Sequence, residues 1–503
     1  MLGFLAAVIA VVAGYIVEHK VTDLPNYNDE KPINFDHYAG HIALPSTGQN
    51  MFYWLVEAEN NPSTAPIALW LNGGPGCSSI SGFFTENGPF VIASDLSVKR
   101  NRYAWNRNVN YVFLDSPAGV GYSTPFLNAS DYNNDVTTGR IYEFLKVFFD
   151  KFPTYQRRPF FVTGESYNGF YIPYLIHKMV EKPHPTINLV GFAIGNAYTD
   201  VHIDGKAYYD WIYNHALISS ETYRALKDNC GDRVSECAYG NANCSSACKA
   251  ALEESSVSSD IADLNEYFIY GDVCLLKDRQ VETFPYHRIR PNTRGDITPC
   301  ADSFTHSYLN LPEVQNALHV TGGFISWSQC NNKVGEVFAR DASALSKYPL
   351  ILNASLKILI YSGDADSNTN FIGTQRWLTS EGLKLPVVSP WKGWFGPDDQ
   401  LAGYTQGYKG LTFTTVKGAG HMVPSTRPLH ALYLIECFIH GEDVCTNWLY
   451  PVDNLEYVSG LTNFNDSPAI SAAEWLALIV PFVAVLIFIT WYAWWKKVWA
   501  IEE

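Results

Sequence analysis

The sequence has little charge, and positive charge is the scarcer of the two signs. Its 503 residues include 35 lysines and arginines against 50 aspartates and glutamates, a formal net charge of −15. Without a basic stripe there is no surface to neutralise phosphates, so the composition excludes nucleic acid as a partner. Charged residues are 17% and apolar residues 47% of the chain, which excludes extended disorder and predicts a globular protein.

The chain also lacks internal repeats and the cysteine spacing of a metal site. Six of its ten cysteines lie between positions 230 and 300, but no C-x-x-C pair or nearby histidine completes a zinc site. The sequence therefore predicts no metal and no cofactor, and favours disulfides formed in an oxidising compartment. Four N-x-S/T sequons predict glycosylation at Asn128, Asn243, Asn353 and Asn465.

Both ends of the chain are apolar, and they differ in length. Residues 1–17 have the length and position of a signal peptide, although no lysine or arginine precedes the apolar run. Residues 475–495 carry no charge, are long enough to cross a bilayer as a helix, and are followed by a short tail, 496–503, that opens with two lysines. Together they predict a single-pass type I membrane protein with residues 20–470 in the secretory-pathway lumen, in the Golgi, the vacuole or lysosome, or at the cell surface.

The interior alternates between strand-like and helical segments. Unbroken apolar runs are typical of strands that helices bury on both faces, and such runs begin at residues 51, 66, 110, 159, 189, 356 and 411. Helices are predicted over 135–151, capped by Asp135, and over 426–440, which ends at Gly441. The alternation predicts an α/β fold with a mostly parallel sheet. Residues 200–345, rich in cysteine and polar loops, predict a disulfide-stapled lid insertion.

The run at 159 ends in the turn Gly164-Glu165-Ser166-Tyr167-Asn168. A strand ending at Gly164 and a helix starting near Tyr167 would place Ser166 on a sharp corner, its hydroxyl raised at the end of the sheet, as in the nucleophile elbow G-x-S-x-G. The last glycine of that pattern comes one position late, and Asn168 occupies its place. The turn predicts a nucleophilic serine and raises the question of how a larger side chain fits.

Acid and base partners follow later strands, where the carboxyl ends of parallel strands meet at one edge. Asp364 and Asp366 follow the run at 356, and His421 follows the run at 411. The chain order Ser, Asp, His is the one this fold uses, with the histidine as general base. The spacing does not decide between Asp364 and Asp366, and Asp115 also follows a strand but precedes the serine.

A glycine-rich turn, Asn72-Gly73-Gly74-Pro75-Gly76, follows the run at 66. Three of its residues have no side chain, so backbone N–H groups can approach a ligand closely. In this fold the second oxyanion donor comes from such a turn, beside the N–H of Tyr167.

Seven longer motifs extend these observations. In order they are YAGHI with FYWLVEAEN, WLNGGPGCSSISGFFTENGPF, NVNYVFLDSPAGVGYS, VTGESYNGFYIP, GFAIGNAYTD, ILIYSGDAD and GAGHMVP. From about Tyr38 to Gly441 the chain resembles the serine carboxypeptidases, the family of cathepsin A and the yeast carboxypeptidases, within the α/β-hydrolase fold. The resemblance implies a serine-type carboxypeptidase that releases C-terminal amino acids from peptides and proteins through an acyl-enzyme, favoured at acid pH.

The same resemblance implies a role for each matching residue. It makes Ser166, Asp366 and His421 the catalytic triad, and Gly74 and Tyr167 the oxyanion hole. The group that binds the substrate's terminal carboxylate is Asn72, Gly73, Glu86 and Glu165. Met422 lines the pocket of the released residue, and Cys77 pairs with Cys330.

Two other functions remain open from the sequence. Some plant relatives keep the triad and transfer acyl groups from an acyl-glucose donor, and a catalytically silent membrane glycoprotein would act through protein contacts. The sequence leaves the preferred C-terminal residue undecided, and it leaves the oligomeric state open between a monomer and a homodimer.

Overall fold

The computed structural model describes residues 16–240, 243–258, 264–276, 299–451 and 490–491. The chain divides into two compact units, Met1–Pro451 and Val452–Glu503. Nearly all of the predicted signal peptide, most of the predicted span 475–495, the tail 496–503 and Asn465 lie outside the described residues. Within the described ranges, no helix is both long enough and apolar enough to cross a membrane.

Ten strands form one large sheet and two form a small ribbon. In chain order the strands are β1 (His37–Ala43), β2 (Asn50–Val56), β3 (Ile67–Leu71), β4 (Phe90–Ile92), β5 (Val98–Arg100), β6 (Asn110–Leu114), β7 (Pro159–Glu165), β8 (Asn188–Gly195), β9 (Lys357–Gly363), β10 (Val387–Phe395), β11 (Leu401–Tyr408) and β12 (Leu411–Val416). The large sheet has the order β1-β2-β6-β3-β7-β8-β9-β12-β11-β10, and β4 pairs with β5.

The centre of the large sheet is parallel. Strands β6, β3, β7, β8, β9 and β12 pair in parallel, and the pairs at both edges are antiparallel. This confirms the predicted α/β class with a mostly parallel sheet. The sequence missed β1, β10 and β11, all in the antiparallel edges. Most of β10 is solvent-exposed, so no unbroken apolar run marks it.

Helices cover the sheet and build the insertion. The described residues form α1 (Ser79–Thr85), α2 (Asn134–Lys151), α3 (Asn168–Glu181), α4 (Val201–Asn214), α5 (Ser220–Asn229), α6 (Val234–Ala238), α7 (Ser246–Ser258), α8 (Ala301–Leu309), α9 (Pro312–Ala317), α10 (Asn332–Val337), α11 (Tyr348–Leu352), α12 (Phe371–Leu378), α13 (Val423–Thr426), α14 (Pro428–His440) and α15 (Glu442–Cys445).

The core lies on both faces of the sheet, and β3 shows why. All five β3 residues are buried, but Ala68 and Trp70 belong to one apolar cluster and Ile67, Leu69 and Leu71 to another. Because successive side chains of a strand point to opposite faces, an unbroken apolar run supplies both layers. The buried central strands therefore hold their carboxyl ends at one rigid edge.

The predicted cap of α2 is wrong. Asn133, in extended conformation, accepts a hydrogen bond from the Val136 N–H at 2.9 Å and is the N-cap. Asp135 lies inside the first turn and pairs with Lys178. The predicted helix 426–440 begins instead at Pro428, and its end at Gly441 agrees with the structure, where that glycine has φ of 99°.

The insertion leaves and rejoins the sheet at one place. The Val201 N–H donates to the Ala342 carbonyl and the Ala344 N–H donates to the Thr199 carbonyl, both at 2.9 Å.

All ten cysteines are paired in disulfides. Three pairs lie within the insertion, Cys230–Cys248, Cys237–Cys244 and Cys274–Cys300, and the other two are Cys77–Cys330 and Cys437–Cys445. The sequon asparagines Asn128, Asn243 and Asn353 are exposed.

Candidate active site

Ser166 lies on a tight corner between β7 and α3. Its φ is 63°, in the left-handed region that costs energy for a residue with a side chain. The surrounding backbone holds this conformation, because the Ser166 N–H donates to the Gly195 carbonyl at 3.0 Å and the Ser166 carbonyl accepts from Tyr198 and Gly169, each at 2.9 Å. Ser166 is partly exposed while its chain neighbours are buried. The corner therefore presents the hydroxyl at the end of the sheet.

Asn168 fits inside this corner. Its side chain is 0% exposed, and its amide donates to the Leu71 carbonyl at 2.7 Å and to the Glu165 carbonyl at 2.8 Å. Gly164 makes room for it, since a Cβ at position 164 would lie 2.7 Å from the Asn168 Cγ. The corner therefore holds Ser166 in the left-handed conformation even though Asn168 stands where the elbow pattern has glycine.

His421 is paired with Asp366. Its Nδ1 lies 2.7 Å from the Asp366 Oδ2, and both side chains are buried. Asp364 turns away and accepts the Gly418 N–H at 2.6 Å. Asp115 accepts from the Ser78 hydroxyl at 2.6 Å. Of the three aspartates that the spacing left open, the structure brings to the histidine Asp366, the one that the family resemblance implies.

Two further residues hold the Asp366 carboxylate, and the sequence analysis missed both. The Asn196 amide donates to Oδ2 at 2.7 Å, and the Thr369 hydroxyl donates to the same oxygen at 2.8 Å. Asn196 ends the motif GFAIGN just after β8, so its position at the carboxyl end of a strand was the available signal. Thr369 follows Asp366 by three residues, a spacing common to ordinary turns. These bonds fix the carboxylate's orientation towards His421.

Ser166 and His421 line one cleft of about 350 Å³. The described residues show no hydrogen bond between the serine hydroxyl and the imidazole; such contacts often tighten only when substrate binds. A second cleft of about 330 Å³ also reaches Ser166 and is lined by five tyrosines: Tyr167, Tyr198, Tyr208, Tyr209 and Tyr239. Ser166 thus lies where two clefts meet.

The glycine-rich turn packs directly against the corner. A Cβ at Gly73 would lie 2.6 Å from the Tyr167 nitrogen and 2.7 Å from the Ser166 Cβ. Gly74 has φ of 110°, a conformation that favours glycine. The disulfide Cys77–Cys330 joins the turn to the insertion. The Gly73 backbone therefore lies against Tyr167 and Ser166, and Gly74, Ser166 and Tyr167 line the second cleft together.

Two buried carboxyl groups share an amide at the floor of the first cleft. The Asn72 amide donates to the Glu86 Oε1 at 2.9 Å and reaches the Glu165 Oε1 at 3.4 Å. Burial raises the pKa of both carboxyl groups, and the neighbouring Glu86 charge raises the pKa of Glu165 further. Because two adjacent carboxylates in low dielectric repel each other, the pair retains a proton until the pH rises above the raised pKa of Glu165.

Two more acids, Asp272 and Asp302, line the same cleft with Met422. Burial also raises the pKa of Asp302, which remains accessible to solvent from within the cleft. Among the described lining residues, His421 is the one side chain that can carry positive charge. Both acids belong to the insertion, whose sequence has no periodic pattern that would have identified them.

Comparisons with known proteins agree with this geometry. The family model described as "Serine carboxypeptidase" matches residues 25–441. The chain is 38% identical over 421 residues to "Serine carboxypeptidase-like 26" of Arabidopsis thaliana, covering 82% of this chain and 90% of the relative. It is 36% identical over 436 residues to "Serine carboxypeptidase 24" of the same plant, with 82% and 90% covered.

A solved structure has the same fold. The crystal structure of KEX1(DELTA)P, a prohormone-processing carboxypeptidase from Saccharomyces cerevisiae, superposes with a TM-score of 0.69 and covers 84% of this chain and 95% of its own. Sequence identity between the two is 24%. The α/β-hydrolase architecture is therefore common to both chains.

Proposed function

The chain belongs to the serine carboxypeptidase family and is a serine-type carboxypeptidase, and we propose that Ser166, His421 and Asp366 carry its chemistry. One observation carries this proposal: the buried His421–Asp366 pair, 2.7 Å apart, opens on the cleft that also holds Ser166 and a buried carboxyl pair. Nucleophile, base and a group that recognises a chain end then act in a single cleft.

In this mechanism the substrate carbonyl is attacked by the Ser166 oxygen. His421 takes the hydroxyl proton on Nε2, because Nδ1 is engaged with Asp366, which stabilises the imidazolium. The backbone N–H groups of Gly74 and Tyr167 stabilise the oxyanion of the tetrahedral intermediate. His421 then returns the proton to the leaving amine, the C–N bond breaks, and a water molecule hydrolyses the acyl-enzyme by the same route.

The carboxyl pair explains selectivity for chain ends. When Glu86 and Glu165 share one proton, that proton is donated to the free carboxylate of the substrate's last residue, with the Asn72 amide and the Gly73 N–H as further donors. A peptide cut in its middle has no carboxylate to offer. This group therefore favours removal of single residues from the C-terminus.

The two clefts receive the two sides of the scissile bond. Because the carboxyl pair lies in the first cleft, the released residue occupies it and contacts Met422. The acyl part of the substrate then extends into the tyrosine-lined second cleft. Met422 is flexible and apolar, which suits a pocket that accepts several side chains.

We propose that the protein works in the secretory pathway, and its cysteine chemistry supports this location. Five disulfides and exposed sequon asparagines suit an oxidising lumen. Residues 475–495 have the composition of a membrane-spanning helix, which supports a type I anchor for the catalytic unit.

Acyl transfer is the second candidate function of the same triad. The relatives reported above carry the name of carboxypeptidase or carboxypeptidase-like protein, which favours hydrolysis. A fluorophosphonate probe should label the wild-type chain at Ser166 and leave Ser166→Ala unlabelled. Mass spectrometry of a peptide library should then detect loss of single C-terminal residues. Labelling without peptide trimming would favour acyl transfer, and absence of labelling would overturn the proposal.

A further inference from the structure

Asn168 connects two segments of backbone that carry the carboxylate-binding residues. Its side-chain nitrogen donates one hydrogen to the Leu71 carbonyl at 2.7 Å and one to the Glu165 carbonyl at 2.8 Å. Leu71 is followed directly by Asn72, and Glu165 is itself a member of the carboxyl pair. Both amide hydrogens of Asn168 are therefore used between the two recognition residues.

This link lies just beyond the end of the backbone ladder between β3 and β7. Strands β3 and β7 pair in parallel, and their ladder ends at Leu71 and Gly164. Beyond that pair, backbone hydrogen bonds between the strands no longer set how far Asn72 lies from Glu165. The Asn168 amide links the two backbones at this point, and the Asn72 amide reaches the Glu165 Oε1 at the longer distance of 3.4 Å.

The Asn168 side chain has one polar atom that is paired and one that is not, and this difference indicates which part of the side chain is needed. The Asn168 Oδ1 is buried and has no hydrogen-bond partner among the described residues. An unpaired buried polar atom costs stability. A small apolar side chain would avoid that cost, so what asparagine adds is the pair of donors.

We propose that Asn168 is a positioning residue that sets the separation of Asn72 and Glu165 and thereby the affinity for the substrate's terminal carboxylate. The inference rests on the proposed role of Asn72 and Glu165 in carboxylate binding. Loss of the link should weaken binding of the substrate and of the transition state equally, which raises KM and leaves kcat unchanged.

The test compares two substrates in the full chain. One is a blocked dipeptide with a free carboxylate, and the other is a blocked amino acid nitrophenyl ester, which has none. Asn168→Ala is expected to raise KM for the dipeptide about tenfold, with kcat within about twofold and kcat/KM for the ester unchanged within about twofold. Asn168→Ser, which keeps one hydroxyl donor, is expected to raise KM about threefold.

Thr163→Val is the matched control. The Thr163 hydroxyl is buried on β7 and donates to the Leu69 carbonyl on β3 at 2.8 Å, the same kind of cross-strand bond two residues earlier. Its loss should lower the melting temperature without changing KM. A dipeptide KM that stays normal in both Asn168 variants overturns the inference, as does an equal loss on ester and dipeptide or an equal KM rise in Thr163→Val.

Failure of the inference is separable from failure of the proposed function. If Glu165→Gln changes the dipeptide KM while both Asn168 variants do not, only the positioning role is wrong. If Glu165→Gln also leaves KM unchanged, carboxylate recognition by this pair is wrong as well. If Asn168→Ala does not fold, the Asn168→Ser values decide the outcome.

Discussion

The imidazole of His421 meets the carboxylate of Asp366 at 2.7 Å, while Asp364, two residues earlier, bonds the Gly418 backbone at 2.6 Å. Asp366→Asn should therefore lower kcat by about 10³- to 10⁴-fold, because the histidine loses its oriented, charge-stabilising partner. Asp364→Asn keeps an acceptor oxygen for the Gly418 N–H and should stay within about threefold of wild type. Steady-state hydrolysis of a blocked dipeptide measures both, and a larger loss in Asp364→Asn would reverse the assignment.

Substrate affinity should fall as pH rises. The Glu165 pKa is raised by burial and by the neighbouring Glu86 carboxyl, so its bound proton is present at acid pH and lost as pH rises through that pKa. Without it, the pair repels the substrate carboxylate. We expect KM for a blocked dipeptide to be at least about fivefold higher at about pH 7.5 than at about pH 5.

Two controls identify the source of that pH effect. Glu165→Gln cannot lose the proton and should flatten the dependence of KM on pH. A nitrophenyl ester substrate, which has no terminal carboxylate, should show little change in KM over the same range. A dipeptide KM that is independent of pH in the wild type would contradict the carboxyl-pair mechanism.

Folding stability should also be greater at acid pH. Burial raises the pKa of Asp204 to about 7 and that of Asp115 to about 6. A raised folded pKa means that the native state binds more protons than the unfolded state between about pH 4 and these values, so unfolding free energy falls as pH rises across that window. Asp204→Asn should lower the difference in melting temperature between about pH 5 and about pH 7.5 by a few degrees, roughly 2–4 °C per kcal/mol.

Differential scanning calorimetry at several pH values measures this effect. An exposed aspartate such as Asp228 gives the control variant, because an exposed carboxyl contributes little to the native-state proton balance. A melting temperature that rises steadily from about pH 5 to about pH 7.5 would show that other groups dominate.

Two glycine-to-alanine substitutions should differ in effect, one abolishing activity and the other raising folding stability. Gly73→Ala places a Cβ 2.6 Å from the Tyr167 nitrogen, so it should abolish activity by pushing the oxyanion turn off the corner. Gly139 lies inside α2, and a Cβ added there would meet no other atom within 4 Å. Gly139→Ala should therefore leave activity unchanged while adding about 0.5–1 kcal/mol of stability. Activity assays and urea titrations distinguish the two outcomes.

The fold was predictable from the sequence where burial of a strand requires an apolar residue at every position. Unbroken apolar runs identified the central strands because both of their faces are covered. The edge strand β10 escaped detection because most of it is exposed, and the edge strand β1 because His37, Gly40 and His41 interrupt its apolar residues although most of it is buried. Strand β11, between β10 and β12, is also only partly buried. The cap of α2 was misassigned for a related reason: Asn133 and Asp135 are both good caps, and only the backbone conformation distinguishes them.

By itself the sequence determined the chemistry: a serine on a strand-to-helix turn, an aspartate and a histidine after later strands, and a glycine turn with no side chains in the way. Spacing alone left Asp364, Asp366 and Asp115 open, and the family resemblance implied Asp366. The tertiary structure shows that Asp366 meets His421, and only that structure shows that Asn168 fits the corner by bonding two carbonyls. Residue order and type are local properties of the chain. Which carboxylate faces the imidazole depends on how separate strands register in the sheet, and that spacing exists only once they are packed.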